Sequence, residues 1–250
     1  MTGLEYVNGV LKKYAVDPNK AVQYHTLFLP YIMEWANGYL IDVKVSGSSA
    51  KGTAVSSGTD VDLFISLTST TKNTLNEIYE SLFSYMGGKG FTARRQNVSI
   101  GINHNLNKID LVPGRRQNQY GNDHSLYVSK KNSWTKTNIS THIYQVSNSS
   151  RLNEIKLAKI WRNANNLDFP SFYLELIIMD ALYNKTVGAI DTNFVAALSF
   201  IASNIESNSY FDPSNTNNCI SDQISAVEKK RIATVAKNSA SQKFWKYVVA

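Results

Sequence analysis

The sequence predicts an α+β fold of two lobes, a mixed β-sheet core carrying N-terminal helices and a C-terminal all-helical lobe. Helical periodicity covers residues 4–39, short β-branched runs lie between residues 41 and 112, and only helical patterns occur from about residue 137 onward. A length of 250 residues suits one large domain or two closely packed lobes. We therefore expect domains at 1–135 and 136–250.

The first two helices and two strands follow from a change of period. Apolar residues recur every three or four positions from Leu4 to Tyr39, and Asp17-Pro18 divides this segment into two helices. The runs at 41–45 and 61–65 are short and β-branched, which predicts two strands. Small residues at 46–58 form the loop between them.

The middle of the sequence predicts one helix and two further strands. Residues 74–86 have helical spacing, and Gly87-Gly88 is expected to end that helix. Residues 91–102 and 108–112 are expected strands, forming a candidate hairpin that turns at 103–107. Pro113-Gly114 should close the second of them.

The remaining chain carries helical patterns separated by proline. The expected helices are 142–164, 171–184, 192–206 and 221–249. Pro170 and Asp212-Pro213 interrupt them, which predicts loops before the second helix and before the last.

Composition excludes several protein classes. An apolar fraction of 43% with 18% charged residues excludes a disordered chain, a collagen and a coiled coil. The most apolar stretch, 174–182, contains Glu175 and Asp180, so no membrane span and no membrane partner are expected. The N-terminus has no secretory pattern, and the single Cys219 agrees with a reducing compartment. We therefore expect a cytoplasmic protein.

The charge balance favours an anionic partner. Lysine and arginine number 26 against 19 acidic residues, a net charge of +7. Such a surface favours phosphate-bearing molecules, either nucleotides or nucleic acid. The alternative is an ordinary solvated surface, and that alternative also applies to the basic pairs Arg94-Arg95, Arg115-Arg116 and Lys130-Lys131.

Three aspartates form the strongest chemical pattern. Asp60 and Asp62 are one residue apart on a predicted strand, so both carboxylates face the same side. Asp110 lies inside a later strand and could complete the cluster. Three carboxylates can hold two divalent ions about 3.5–4 Å apart. The alternative is that Asp60 caps a turn after Gly58-Thr59 and Asp62 is a surface charge on an edge strand.

A glycine- and serine-rich loop precedes the acidic pair. Gly47 and Gly52 have the spacing of a P-loop, but Thr53 stands where a P-loop requires lysine. We therefore predict a turn at Gly47-Ser48 that opens a short helix and binds the β- and γ-phosphates of a nucleotide beside the metal pair.

The combined pattern resembles a known superfamily. Val45-Ser46-Gly47-Ser48, Lys51-Gly52-Thr53 and Thr59 to Ile65, with the later Asp110, are similar to the signature of polymerase-β-type nucleotidyltransferases. Residues 153–161, 169–176 and 211–218 resemble the helical half of one branch of it. That branch holds archaeal CCA-adding enzymes, oligoadenylate synthetases, cyclic GMP-AMP synthase and the bacterial CD-NTases. The resemblance covers roughly residues 40 to 240.

The resemblance implies roles for specific residues. Asp60, Asp62 and Asp110 would be catalytic and would hold two Mg²⁺ ions, with Mn²⁺ as a substitute. Gly47 and Ser48 would bind the nucleotide. The helical lobe would close the nucleotide cleft.

The helical lobe would supply four further nucleotide-binding residues. Lys156 and Lys159 lie beside the apolar face of one helix, and Lys159 and Ser171 would contact the β- and γ-phosphates. Phe172 would stack on the base where relatives often have tyrosine. The alternatives are a solvated helix face for the lysines and core packing for Phe172.

The implied function is Mg²⁺-dependent nucleotidyl transfer from NTPs with release of pyrophosphate. The product would be a cyclic or short oligonucleotide signal of bacterial antiphage defence. One alternative is nucleotide addition to the 3′ end of tRNA or another RNA, and another is an inactive nucleic-acid-binding module. NTPs are the expected substrates, RNA is a candidate acceptor or activator, and the oligomeric state is left open.

Overall fold

The computed structural model describes residues 1–58 and 60–250. These residues form two compact units. The sheet unit comprises residues 17–51 and 60–143, and the helical unit comprises residues 1–16, 52–58 and 144–250.

A mixed sheet organises the sheet unit. Within the described residues it has seven strands, β1 (Leu40–Val45), β2 (Val61–Leu67), β3 (Thr92–Arg95), β4 (Ile100–His104), β5 (Asn107–Arg116), β6 (His124–Val128) and β7 (Ser133–Thr137). The strand order is β1-β2-β5-β4-β3, while β6 pairs with the end of β5 and with β7. Only β2 and β5 pair in parallel among these strands.

Two helices cover one face of this sheet. Helices α2 (Lys20–Ala36) and α4 (Leu75–Gly88) share a buried core with alternate residues of β2, such as Leu63 and Ile65. Each fully buried apolar side chain contributes about 1.5–3 kcal/mol, so this face supplies much of the unit's stability. A capping box between Thr74 and Glu77 fixes the start of α4. The short helix α3 (Gly47–Lys51) follows β1.

The helical unit packs around the apolar faces of its helices. These are α1 (Gly3–Lys13), α6 (Leu152–Ala164), α7 (Ser171–Ala181), α8 (Ile190–Asn204) and α9 (Ala226–Ala240). Trp161, Tyr173 and Phe194 are completely buried in its core. Helix α5 (Ile139–Ser147) carries the chain out of the sheet unit. No helix among the described residues is long and apolar enough to cross a bilayer.

The predicted α+β class with a mixed sheet is confirmed, but the back half is not purely helical. Strands β8 (Phe211–Asp212) and β9 (Asn215–Cys219) form a hairpin at the predicted Asp-Pro loop. The expected helix 142–164 is two helices, because Ser150 takes a left-handed φ of 57° between α5 and α6. Strands β6 and β7 were not predicted.

Several predicted boundaries in the sheet unit are wrong. The expected strand 91–102 is the pair β3 and β4, separated by a turn at 96–99. The expected hairpin turn before β5 is confirmed, with Asn105 and Leu106 both at positive φ. Gly114 lies inside β5 rather than after it, because the strand continues to Arg115 and Arg116, which pair with β6. A Cβ at Gly114 would lie 2.7 Å from Phe64 Cζ, which explains the glycine.

Helix α4 also runs through the glycines that were expected to stop it. It ends at Gly88, and Gly90, at a φ of +86°, supplies the left-handed residue that terminates it.

The two compact units are not the contiguous domains 1–135 and 136–250 that the sequence predicts. Residues 1–16 and 52–58 pack with the helical unit, although they belong to the N-terminal part of the sequence. The chain therefore enters the helical unit for seven residues between α3 and β2.

Candidate active site

Two of the three predicted acids are direct neighbours across the sheet. Asp62 on β2 and Asp110 on β5 are paired residues of the parallel ladder. The neighbouring Leu63 and Leu111 are completely buried among the core residues. Because side chains alternate along a strand, Asp62 and Asp110 project from the opposite face of the sheet. The expectation that Asp110 lies on a strand adjacent to the acidic pair is confirmed.

The Gly47-Ser48 turn packs directly against Asp62. The Ser46 backbone N–H donates to the Asp62 carbonyl at 2.8 Å, which joins the end of β1 to the start of β2. Gly47 has a φ of +56°, and a Cβ at this position would fall on the Asp62 carboxylate. Only glycine satisfies both the left-handed backbone and the close approach. The predicted turn opening a short helix is confirmed, since α3 begins at Gly47.

The electrostatics of Asp110 are those of a carboxylate close to another acid. Burial raises the pKa of Asp110 above its ordinary value, and the negative charge of Asp60 raises it further. A hydrogen bond from Gln96 opposes both effects. Asp60 itself is half-buried and precedes the first residue of β2 by one position. A cation bound here would favour the charged form of all three carboxylates.

A cavity of about 160 Å³ lies in the sheet unit beside Asp62 and the Gly47-Ser48 turn. Its polar lining includes Gly47, Lys51 and Asp62, and its apolar lining includes Phe64 and Leu126. Phe64 follows Asp62 by two residues on β2, so the strand presents one acidic and one aromatic side chain on the same face.

The donor chemistry of the acids fits a hard divalent cation. No three His, Cys, Asp or Glu side chains within residues 1–58 and 60–250 form a metal-holding group by themselves. Asp62 and Asp110 nevertheless offer only carboxylate oxygens, and Mg²⁺ typically takes one or two protein carboxylates together with substrate phosphates and water. The acidic pair therefore fits Mg²⁺ bound together with a nucleotide.

In the helical unit, Lys159 lies in a buried ion pair. Its side chain is 3% exposed, and Nζ donates to Glu175 Oε1 at 2.6 Å. Nζ also donates to Thr53 Oγ1 at 2.8 Å, and that hydroxyl donates to Glu175 Oε1 at 2.9 Å. The alternative of a solvated helix face is thus wrong for Lys159. Its contact with phosphate stays a prediction, and it would have to compete with Glu175.

Ser171 lies beside a cation that the sequence analysis did not single out. Arg162 Nη1 donates to Ser171 Oγ at 2.9 Å and to the Phe169 carbonyl at 2.8 Å. Arg162 is one turn beyond Lys159 on α6, and Ser171 is the first residue of α7. The sequence did contain a signal for it: Arg162 follows Lys159 by three positions, on the helix for which phosphate binding was predicted.

The other two predicted residues of the helical unit are half-buried. Lys156 lies on α6, next to the buried Ile155 and Leu157. Phe172 packs against the helical core, as the core-packing alternative expects. Their contacts with a nucleotide stay predictions.

Residues 52–58, which lead from α3 towards Asp60, are fastened within the helical unit. Besides the Thr53 contacts, the Ser56 N–H donates to the Tyr14 carbonyl at 2.9 Å. Asn163 Nδ2 donates to Ser57 Oγ at 3.0 Å. Val55 is buried in the helical core. This segment therefore belongs structurally to the helices and not to the strands on either side of it in the sequence.

Comparison by sequence finds no relative, whereas comparison by structure finds many. No protein-family model matches the chain, and no curated protein matches it. CdnC of E. coli, solved with ATP, superposes with a TM-score of 0.75 at 18% identity, covering 98% of this chain and 94% of that one.

Two further solved structures share the fold. The Bradyrhizobium diazoefficiens CD-NTase CdnG, in complex with GTP, has a TM-score of 0.76 at 13% identity, covering 91% of this chain and 87% of its own. The Elizabethkingia meningoseptica CdnE cyclic dinucleotide synthase, with GTP and Apcpp, has a TM-score of 0.65 at 14% identity and coverages of 88% and 92%. The resemblance predicted from the motifs is thus confirmed at the level of the fold: this chain has the CD-NTase fold over nearly its whole length.

Proposed function

We propose that this protein is a Mg²⁺-dependent nucleotidyltransferase that joins NTPs into a cyclic or short oligonucleotide. The observation that carries the proposal is the pairing of Asp62 with Asp110 across β2 and β5, with Gly47 packed on the Asp62 carboxylate. Solved neighbours of the same fold contain ATP or GTP, and one of them is a cyclic dinucleotide synthase.

In this proposal Asp60, Asp62 and Asp110 hold the metal ions. When bound, the ions would make the attacking hydroxyl a better nucleophile and neutralise charge on the departing pyrophosphate. The oxygen of the attacking hydroxyl forms a bond to the α-phosphorus of the NTP. At the same time the bond from that phosphorus to the oxygen between the α- and β-phosphates breaks, and pyrophosphate leaves. Asp110 accepts the hydroxyl proton and passes it to solvent.

The phosphates would be held by groups at two places in the sequence. In the sheet unit these are the Gly47-Ser48 backbone and the Ser48 hydroxyl. In the helical unit Ser171 is the predicted contact, and Arg162, which already donates to its hydroxyl, is a more accessible cation than Lys159. An arginine can bind two phosphate oxygens at once, so Arg162 could take the phosphate-binding role that was predicted for Lys159.

The biological role belongs to the same proposal. A signal-producing enzyme of antiphage defence would be silent until activated, and CdnC of E. coli has also been solved in complex with HORMA-deltaN. We therefore include protein or RNA activators among the proposed partners and the cytoplasm as the proposed location.

A second candidate function is nucleotide addition to an RNA 3′ end. The observation that favours it is the net charge of +7, which suits a polyanionic acceptor. The two candidates differ in whether product forms without RNA.

The test is incubation with labelled NTPs and Mg²⁺ or Mn²⁺, with and without RNA, followed by chromatography before and after phosphatase treatment. We expect small phosphatase-resistant products without RNA. Label found only on RNA would favour the second candidate. If no product forms with any NTP, metal or RNA, and Mn²⁺ does not increase binding of a nucleotide analogue, the enzymatic proposal is wrong.

The acidic residues are tested by a matched pair of variants. Asp62→Asn should reduce turnover by about a thousandfold or more, because it removes a ligand of the metal ions that would bind the reacting phosphate. Asp42→Asn on β1, an exposed aspartate of the same sheet, should leave turnover unchanged. Wild-type pyrophosphate release by Asp62→Asn would contradict the assignment.

A further inference from the structure

The side chain of Gln96 reaches the third acid of the site. Gln96 follows the last residue of β3 and begins the turn to β4. Its Nε2 donates to Asp110 Oδ1 at 2.8 Å. A neutral amide is thus the hydrogen-bond donor to Asp110, and it adds no positive charge that would compete with a metal ion for this carboxylate.

The other end of this amide is hydrogen-bonded as well. Ser99 Oγ donates to Gln96 Oε1 at 2.9 Å. A rotated amide would present its carbonyl oxygen to Asp110 and its NH₂ group to Ser99, which would lose the hydrogen bond to Asp110 and place two acceptors together. The ionised Asp110, which can only accept, therefore selects the orientation in which the amide donates to it, and the Ser99 hydroxyl satisfies Oε1 in that orientation.

The backbone of Gln96 is held as well. Its carbonyl accepts from Tyr79 Oη at 2.6 Å and from Ser129 Oγ at 2.6 Å, and its N–H donates to the Ser99 carbonyl at 3.0 Å. Tyr79 is completely buried between α4 and the sheet. Donors from two other parts of the sheet unit, together with one hydrogen bond within the turn, thus fix the backbone of Gln96, so the amide starts from a rigid position.

Gly101 makes the space that the amide occupies. It is the β4 residue paired with Asp110, and a Cβ there would lie 2.5 Å from Gln96 Nε2. The φ of Gly101 is not in the left-handed range, so the backbone does not require glycine at this position. Two side chains explain the glycine: that of Gln96, which crosses the strand to Asp110, and that of Arg94, whose Nε would lie 2.8 Å from the same Cβ.

We propose that Gln96 is a positioning residue for the reaction, which orients the Asp110 carboxylate by occupying Oδ1 and leaves Oδ2 for the metal ion and the attacking hydroxyl. This inference rests on the proposed nucleotidyl transfer. Gln96 does not touch substrate in this scheme. It acts only through Asp110, with Ser99 and Gly101 as the residues that let it do so.

The first test replaces the donor and keeps the shape of the side chain. Gln96→Met should lower kcat by about 10- to 100-fold and weaken Mn²⁺ binding by a similar factor, as is typical when a partner of a metal ligand is lost. The KM for NTP should change less than about twofold, because uniform substrate binding is untouched. Gln117→Met is the matched control, because it alters an exposed glutamine whose side chain donates to the Ser125 hydroxyl and not to an acid of the site.

The second test reaches the same amide from the opposite strand. Gly101→Ala should displace Nε2 and cause a loss of kcat and of Mn²⁺ affinity close to that of Gln96→Met. The Arg94 side chain, which the new Cβ would also meet, is exposed and has room to move aside. Because both substitutions act through one hydrogen bond, the double variant should be no worse than the more damaging single variant. Mn²⁺ affinity is measured directly from the free-ion signal in electron paramagnetic resonance, without turnover.

The outcomes separate this inference from the function on which it rests. Wild-type kcat and Mn²⁺ affinity in Gln96→Met, or additive losses in the double variant, would overturn the role of Gln96 while the enzyme remains active. If the wild-type chain is inactive but Gln96→Met still weakens its Mn²⁺ binding, the positioning role stands and the reaction is wrong. If the wild-type chain binds no Mn²⁺, both are overturned.

Discussion

The two units treat buried charge in opposite ways. In the helical unit, Lys159 and Glu175 neutralise each other, and the Thr53 hydroxyl bonds to both. In the sheet unit, Asp62 and Asp110 place like charges on neighbouring strands, and Asp60 adds to the repulsion felt by Asp110. In the first cluster each charge is neutralised by its partner, as in a structural ion pair. The second keeps like charges side by side, and under the proposed function a bound cation would offset their repulsion.

The largest expected effect tests the structural side of this comparison. Lys159→Met should destabilise the protein by about 3–5 kcal/mol, because it leaves Glu175 buried without its cation. The double variant Lys159→Met/Glu175→Met should recover much of this loss, since an apolar pair of similar volume can replace a buried ion pair. Urea unfolding of both variants measures the difference.

That experiment also addresses the predicted phosphate contact of Lys159. The double variant should retain the KM for NTP of the wild-type chain if Lys159 is structural. A tenfold or larger rise in KM in a stably folded double variant would show that Lys159 binds phosphate, and the contrast between the two units would be weaker.

A smaller effect is expected at the cation beside Ser171. Arg162→Gln should raise the KM for NTP by about tenfold, equivalent to about 1.4 kcal/mol, because a charge-assisted contact with phosphate is lost. Lys230→Gln, an exposed lysine on α9, removes the same charge elsewhere on the helical unit and should leave KM unchanged. Equal KM values for the two variants would exclude Arg162 from phosphate binding.

The smallest expected effect is a pH-dependent gain in stability. The pKa of Asp110 is raised in the folded protein, so ionisation of Asp110 lowers the free energy of unfolding as pH rises from about 3.8 through the raised value. Asp110→Asn should therefore raise Tm at pH 7, and the difference should disappear when the medium is acidic enough to protonate Asp110 in both states. A lower Tm at pH 7 would mean that Asp110 stabilises the fold.

Sequence reasoning predicted the elements whose pattern is local. The alternation along β2 placed Asp60 and Asp62 before the core residues Leu63 and Ile65, and the glycine of the Gly47-Ser48 turn was recognisable from its position after a strand. Strands β6 and β7 were not predicted because each has only five residues, and β7 at the edge carries exposed residues such as Trp134.

The residues that depend on tertiary pairing could not be predicted in the same way. Gln96 contacts Asp110 only because β4 lies between β3 and β5, a fact of sheet order and not of spacing. Lys159 offered a usable signal: Glu175 stands in an otherwise apolar stretch of α7, and a buried acid requires a cation from a neighbouring helix. In the sequence, that acid was interpreted only as an interruption of a candidate membrane span.

The route of residues 52–58 restricts how this protein can be divided. A fragment ending at residue 143 would keep every proposed catalytic carboxylate, yet Val55 and Thr53 would lose the helical core and the ion pair that hold them. Residues 52–58 would then be an unpacked segment between α3 and Asp60. Limited proteolysis and gene truncation are therefore poor ways to isolate a working half, because the chain is threaded through both units and neither is a self-contained module.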